Sequence, residues 1–449
     1  MYKLILAIRY LYRKRISYLA LGAVALCVFI VVVVMTVMTG LVNDFSDKNH
    51  RYVGDCVVGT ESLVGFPYYE DFARILEQAN YIEGVSPVIK TYGLTGAIDA
   101  EHNIGVEIIG VDPLRHSKTT GFGETLHYHR ADAGRAFIPD NDGNQVGYVV
   151  GIDLWLRRHT NGDYDYDERP AAFRLAVTCF PLTVKGALAK AGTDLVNTKT
   201  FTFSDTSESG LARVDGSAVY LPFGEVQSLC GMTEPIKRAS WLYIKFKSNI
   251  NEEQGYRSVA DLWRKFVDEK QGDKNSDLLA MVTVQSWKQN RREYIAAMEK
   301  EQTMLTAMFG LVGLTTVFIV FVVFYMIISH KSKDIGILKS LGASAWNLIS
   351  LFLLFSFSLG FIGSVIGVAS GWVFLRYINR IEGWLFEHFG FQLWDRTMYS
   401  IGDIPSEVKT ETIVVIVVCA IGACLMGAIL PSKRAAGAQP AETLQVNQL

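Results

Sequence analysis

Residues that could do chemistry are few in this chain and poorly grouped for most kinds of it. Asn161-Gly-Asp-Tyr-Asp-Tyr-Asp-Glu-Arg-Pro170 alternates carboxylates in a loop-like stretch, an oxygen-rich pattern of the sort that can hold calcium. It lacks the central Gly and the correctly spaced distal Glu of an EF-hand loop, which favours a solvated turn. The eight histidines are scattered, and the six cysteines form no CxxC or Cys/His zinc spacing, so no metal site is expected. Cys27, Cys419 and Cys424 fall in apolar stretches. Cys56, Cys179 and Cys230 fall in the polar part, where one disulfide is open and its pairing cannot be read. No Gly-x-x-x-x-Gly-Lys-[Ser/Thr] phosphate cradle, His-Glu-x-x-His helix or Gly-x-Ser-x-Gly elbow occurs. The chain is therefore expected to carry no cofactor and no catalytic residues, and not to be an enzyme by itself. A net charge of -2 gives no field for nucleic acid.

The elements around those residues are dominated by four apolar stretches, Tyr18–Gly40, Leu305–Ser329, Leu348–Phe374 and Thr412–Leu430. Each is near or above the roughly 20 residues a helix needs to cross a bilayer, and none contains Lys, Arg, Asp or Glu. Val28–Val34 is apolar on every helical face, unlike a globular surface helix. Basic residues cluster in three flanks: Lys3, Arg9, Arg13, Lys14 and Arg15; Lys331, Lys333 and Lys339; Lys433 and Arg434. The positive-inside rule puts all three, and both termini, in the cytoplasm. Tyr2–Arg15 has the spacing of an interfacial helix, and the first apolar stretch is too long for a cleavable signal peptide.

The expected architecture is an α-helical membrane protein with four transmembrane helices in a 1+3 arrangement. A large mixed α/β extracytoplasmic domain is inserted between helices 1 and 2. The bounds are 1–16 interfacial helix, 17–41 first span, 42–303 head, 304–329 second span, 330–347 cytoplasmic helix, 348–376 third span, 377–411 outer loop, 412–431 fourth span and 432–449 tail. In the head, the patterns predict helices over Tyr69–Ala79 and Glu252–Glu269 and a polar helix Trp287–Glu301 leading into the second span. They predict strands over Gly84–Ile89, Ala218–Pro222, Trp241–Lys247 and Met281–Val284, and a hairpin of Tyr92–Asp99 with Val106–Val111. Gly360, Gly363, Gly367 and Gly371 form a small-residue stripe suited to close helix approach.

Between the second and third spans, Ile335, Leu338 and Leu341 recur at helical spacing, with Lys333, Asp334 and Lys339 on the polar side and Gly342 ending the turn. Lys333-Asp-Ile-Gly-Ile-Leu-Lys-Ser-Leu-Gly-Ala-Ser344 resembles the signature that follows the second span in the FtsX-like, MacB-type permeases, membrane subunits of mechanotransmission ABC transporters. Pro431-Ser-Lys-Arg-Ala-Ala-Gly-Ala-Gln-Pro-Ala-Glu-Thr-Leu444 is similar to the closing motif of that family. Val284-Gln-Ser-Trp-Lys-Gln-Asn290, Glu299-Lys-Glu301, Gly110-Val-Asp-Pro113 and Ser209-Gly-Leu…Asp215…Val219-Tyr-Leu-Pro222 resemble its lipoprotein-releasing branch.

The resemblance implies that Lys333, Asp334, Ile335, Gly336, Ile337, Leu338, Lys339, Leu341 and Gly342 form a coupling helix seated on a separate cytoplasmic ATPase dimer, which binds ATP and Mg. It implies a second permease copy or homologue, a lipoprotein substrate, a periplasmic carrier, contact with membrane lipids and an inner-membrane location. Val31, Met35, Met38 and Leu41 with Met304, Met308 and Leu311 would line the lipid-facing substrate cavity. Lys185, Leu188 and Leu195 would contact the carrier, although the Pro-containing pattern of the branch is missing there. Two other functions fit the same family: a macrolide-type efflux permease, and a non-transporting regulator of cell-wall hydrolases.

Overall fold

The computed structural model describes residues 15–97, 103–140, 143, 145–157, 159, 164–166, 173–189, 196–330, 337, 339–340, 342, 344–389, 404–407 and 409–437. The interfacial stretch before Arg15, most of the calcium-like loop and most of the coupling segment lie outside the described residues. The chain divides into two compact units, Met1–Asn43 with Ala297–Trp394 and Asp403–Leu449, and Asp44–Ala296 with Asp395–Gly402.

The first unit is built from four long helices, Arg15–Val53, Arg292–His330, Ala345–Phe389 and Thr410–Gly437, each long and apolar enough to cross a membrane. They outrun the apolar stretches because helix propagation needs only good helix formers, whereas hydropathy registers only what lipid would cover. The third continues to Phe389, through much of the stretch expected as outer loop.

Close packing at small residues joins the helices into a bundle. Gly363 and Gly371 face Val24 and Val32 of the first helix, and a Cβ at Gly367 would stand 2.7 Å from the Ala25 carbonyl oxygen. Gly360 faces Cys424 of the fourth helix, where Ser356 Oγ donates to the Cys424 carbonyl at 2.7 Å. Gly427 of the fourth faces Val317 and Val320 of the second. Among the described residues, the first and second helices share two weaker polar contacts, Thr316 Oγ1 to Cys27 Sγ at 3.0 Å and Gln302 Nε2 to Thr39 Oγ1 at 3.4 Å. The glycine stripe thus serves two neighbours, because a period of three to four residues drifts around the helix.

The second unit is mixed α/β. Its strands are β1 Cys56–Gly59, β2 Phe66–Pro67, β3 Ile82–Ala97, β4 Ile104–Val111, β5 Gly147–Gly151, β6 Arg174–Cys179, β7 Asn197–Ser207, β8 Ala218–Pro222, β9 Arg238–Ala239, β10 Trp241–Phe246 and β11 Thr283–Ser286. Nine form one sheet in the order β11-β1-β10-β3-β4-β8-β5-β7-β6, and β6 also pairs with β3, which closes the last six strands into a ring. β3 can serve both neighbours because it is 16 residues long and has Gly93 where they converge. A Cβ there would lie 2.5 Å from the Thr178 oxygen of β6 and press into Ile108 of β4.

The ring encloses Ile89, Ile108, Tyr148, Val177, Phe201 and Phe203, and helix Phe223–Leu229 contributes Val226 and Leu229 to the same core. Helices Tyr69–Glu77 and Glu252–Glu269 cover the open part of the sheet through Phe72, Leu76, Val259, Trp263 and Phe266. The expected helices and the hairpin stand, while the expected strand Met281–Val284 gives way to a 3-10 turn Ser276–Met281 followed by β11. The expected polar helix breaks at Arg291, after Trp287–Asn290.

A fully buried carboxylate organises the loop before β8. Asp215 accepts from the Ser209 amide at 2.8 Å, the Ser209 hydroxyl at 2.7 Å and the Gly210 amide at 2.9 Å. Burial pushes its pKa up from 3.8 to about 6, against the pull of those donors.

Two outcomes follow from this packing. Gly367→Ala should lower the thermal midpoint of the detergent-purified protein, at a cost of about 1–3 kcal/mol, whereas Gly310→Ala, whose added methyl meets nothing within 4 Å, should not. Asp215→Ala should cost the head about 2–4 kcal/mol by orphaning three donors. Because the folded pKa is raised, the folded state takes up a proton between about 6 and 3.8 that the unfolded state has already lost. Lowering the pH from about 7.5 to about 5 should therefore raise the midpoint of the wild type relative to Asp215→Asn.

Candidate functional site

Three groups of residues carry the functional expectations, and each is built differently. The first lies where the head unit begins and ends. Asn49 and Arg291 are both buried, and Arg291 Nε donates to Asn49 Oδ1 at 2.8 Å while the guanidinium lies over the rings of Tyr52 and Tyr294, 4.9 and 4.3 Å from their centroids. Asn49 Nδ2 donates in turn to the Phe45 carbonyl at 2.8 Å. The motif Val284–Asn290 supplies the last strand and a capping box, Ser286 with Gln289, that starts the helical turn bearing Trp287. Trp287 stacks on His50 at 4.3 Å and donates from Nε1 to Glu252 at 3.0 Å.

His50, Asp55 and Glu252 bring potential ligand atoms within 4.8 Å of one another. Their partners are nevertheless within the protein. Asp55 binds His50 at 2.7 Å, Lys245 at 3.3 Å and the Phe246 amide at 2.6 Å, and the Lys245 ammonium already supplies the cation. Burial opposes ionisation of Asp55, but those donors win and hold its pKa below the usual range.

The second group is the coupling segment. Of its residues, Ile337, Lys339 and Gly342 are described, and Lys333, Asp334, Ile335, Gly336, Leu338 and Leu341 are not. Ile337 is 50% exposed, although it is apolar. Lys339 Nζ donates to the Ala436 carbonyl at 2.6 Å, in the last turn of the fourth helix, where a cation also meets the negative end of the helix dipole. Gly342 turns the chain with φ +92°, and Ser344 Oγ then caps the third helix through the Asn347 amide at 3.3 Å. The segment is thus fastened at its C-terminal end to both the third and fourth helices.

The third group is the substrate and carrier residues. Met304, Met308 and Leu311 are 67, 52 and 64% exposed along one face of the second helix. Val31, Met35 and Met38 are half-buried along the first, and Leu41 alone of the seven is buried. An apolar groove of roughly 660 Å³ lies along the third helix beside Phe29 of the first, lined also by Val373, Phe374 and Tyr377. Lys185 and Leu188 are exposed on a tight turn closed by Thr183 and Ala187, amide to carbonyl at 2.8 Å. Leu195 lies outside the described residues.

Asn49, Arg291, Asp205 and Arg238 were not singled out from the sequence. Asp205 receives the amides of His127, Tyr128, His129 and Thr206, and Arg238 donates to the carbonyls of Val64, Leu182 and Gly231. All four are polar residues buried by distant parts of the chain, and no local period reveals that.

Comparison with known proteins gives the family. The model for the FtsX-like permease C-terminal matches residues 306–440, and the model for the MacB-like periplasmic core domain matches residues 17–262, more than half of the chain. The chain is 23% identical over 447 residues to the lipoprotein-releasing system transmembrane protein LolC of Neisseria meningitidis serogroup B, covering 98% of both chains. Over 122 residues it is 30% identical to the lipoprotein-releasing system transmembrane protein LolE of Haemophilus influenzae, covering 26% of this chain and 29% of that one. It is 20% identical over 382 residues to the macrolide export ATP-binding/permease protein MacB of Neisseria gonorrhoeae, covering 83% of this chain and 48% of that protein, so it spans about half the length of that relative. The four apolar helices, the α/β head and both family models together show that the chain is a membrane protein belonging to the FtsX-like, MacB-type family of ABC transporter permeases.

Proposed function

We propose that this permease couples ATP hydrolysis by a separate cytoplasmic ATPase dimer to motion of a head outside the inner membrane, and that the work extracts lipoproteins for handover to a periplasmic carrier. The observation that carries the lipoprotein reading is the similarity to LolC along 98% of both chains. The macrolide exporter is matched over about half its length, so an efflux function is the weaker alternative. ATP and Mg would be held by the partner, because this sequence has no phosphate cradle.

In this account the spans are 17–41, 304–329, 348–376 and 412–431 in a 1+3 arrangement, the head is 42–303, and both termini are cytoplasmic by the Lys/Arg distribution. Segment 330–347 is the coupling helix. Ile337 is presented outward for the partner, while Lys339 and Ser344 tie the segment to the fourth and third helices, so a push on it moves both. Two copies, or this chain and a homologue, would flank the cargo. Among the described residues the first and second helices share no glycine contact and are joined by two side-chain polar contacts, which suits lateral entry of an acyl chain past Val31, Met35, Met38, Met304, Met308 and Leu311. Apolar stretches free of Lys, Arg, Asp and Glu, Leu348–Phe374 among them, accord with a machine that passes no polar solute through itself.

Replacing Ile335 and Leu338 together with Asp should leave membrane insertion intact and reduce ATP turnover of the copurified complex to the basal rate of the ATPase alone. Undiminished turnover in a correctly inserted variant would remove the coupling assignment.

A further inference from the structure

In the head, β6 ends at Cys179 and helix Phe223–Leu229 is followed at once by Cys230. Two hydrogen bonds hold these ends together. Asn197, the β7 partner of Cys179, donates from Nδ2 to the Leu229 carbonyl at 2.8 Å, and the Leu182 amide donates to the Cys230 carbonyl at 3.1 Å. The two side chains are 0% and 3% exposed and belong to one core cluster. Cys56, the third cysteine of the head, packs in a different cluster with Phe66 and Phe72. The buried Arg238 guanidinium braces the same corner, reaching the Val64 carbonyl at 3.0 Å, the Leu182 carbonyl at 3.2 Å and the Gly231 carbonyl at 2.7 Å.

We propose that Cys179 and Cys230 are joined by a structural disulfide in the exported head, linking the wall of the six-stranded ring to the helix that packs into its core. The inference rests on the outward placement of the head, because disulfides persist in oxidising compartments. Each thiol loses a proton, the two sulfurs form one S–S bond, and the two electrons pass by thiol–disulfide exchange to a disulfide-donating oxidoreductase, whose own disulfide becomes two thiols. The neighbouring Cys230 thiol and burial hold the Cys179 thiol well above its usual pKa, which makes it a poor nucleophile once folded. Exchange therefore belongs to the emerging chain, and the finished bond is shielded rather than switchable. It closes a loop of about 50 residues, a length at which cross-linking removes much unfolded-chain entropy. The exposed turn with Lys185 and Leu188 begins within a few residues of Cys179, so the bond also fixes the base of that turn.

The test uses the full-length protein, with N-ethylmaleimide added to cells before lysis, followed by denaturation, further alkylation, digestion without reductant and mass spectrometry. The expected result is one linked peptide pair containing Cys179 and Cys230, two hydrogens lighter than the separate peptides and resolved by reduction. Both cysteines recovered as alkylated thiols, or either linked to Cys56, would overturn the proposal. Protease accessibility of the head in spheroplasts from the same culture shows whether it fails alone or together with the assigned orientation.

Discussion

A single buried cation governs how the head closes on itself. Arg291 sits between two tyrosine rings and donates to a fully buried asparagine, in the unit whose first strand follows Val53 and whose last strand precedes Trp287. Those strands, β1 and β11, pair directly, Cys56 with Ser286 through Gly59 with Thr283. The lock and the ladder are thus neighbours, and both join the beginning of the domain to its end. Removing one partner of such a hydrogen bond strands the other in a dry site, a loss of about 1–3 kcal/mol. The remaining strands hang from this closure in sequence order only in part, since β10 pairs beside β1 and β3 beside β10.

The helical unit depends on a different constraint. Between apolar helices in lipid there is little hydrophobic gain from association, so contact must come from close fit. Gly360, Gly363, Gly367, Gly371 and Gly427 provide that fit on three helix pairs, with backbone atoms or valine and cysteine side chains where a Cβ would go. The pair formed by the first and second helices has no comparable glycine contact among the described residues and is joined by a hydroxyl–thiol contact and a long amide–hydroxyl contact. The proposed coupling segment is tied to this bundle at two points, because Lys339 donates to the end of the fourth helix and Ser344 begins the third.

Legibility in the sequence followed locality. The apolar stretches and the amphipathic helix Glu252–Glu269 are written in consecutive residues and stand where the patterns put them. The hairpin of β3 with β4 does too, although β3 proved to be one strand of 16 residues where two had been expected, since Lys90 and Thr91 interrupt the apolar run without breaking the ladder. The strands β1, β5, β6 and β7 carried no sufficient period; β5, β6 and β7 depend on the closing of the ring between β3 and β6, 81 residues apart at Thr95 and Ala176, and β1 on its pairing with β10 and β11. Asp215 was visible only as part of a family-like spacing with Ser209 and Gly210, and its role as a loop clamp came from three hydrogen bonds. Asn49 and Arg291 gave no local signal, being 242 positions apart.

The central claim is that the chain transmits work from a separate ATPase to a head that handles lipid-anchored cargo. Affinity purification of the tagged full-length protein in mild detergent, followed by mass spectrometry of everything retained, addresses it most directly. The account predicts an ABC ATPase together with acylated lipoproteins. An ATPase retained with an efflux adaptor or a cell-wall hydrolase would contradict the assignment of cargo, and retention of no ATPase at all would contradict the coupling account itself.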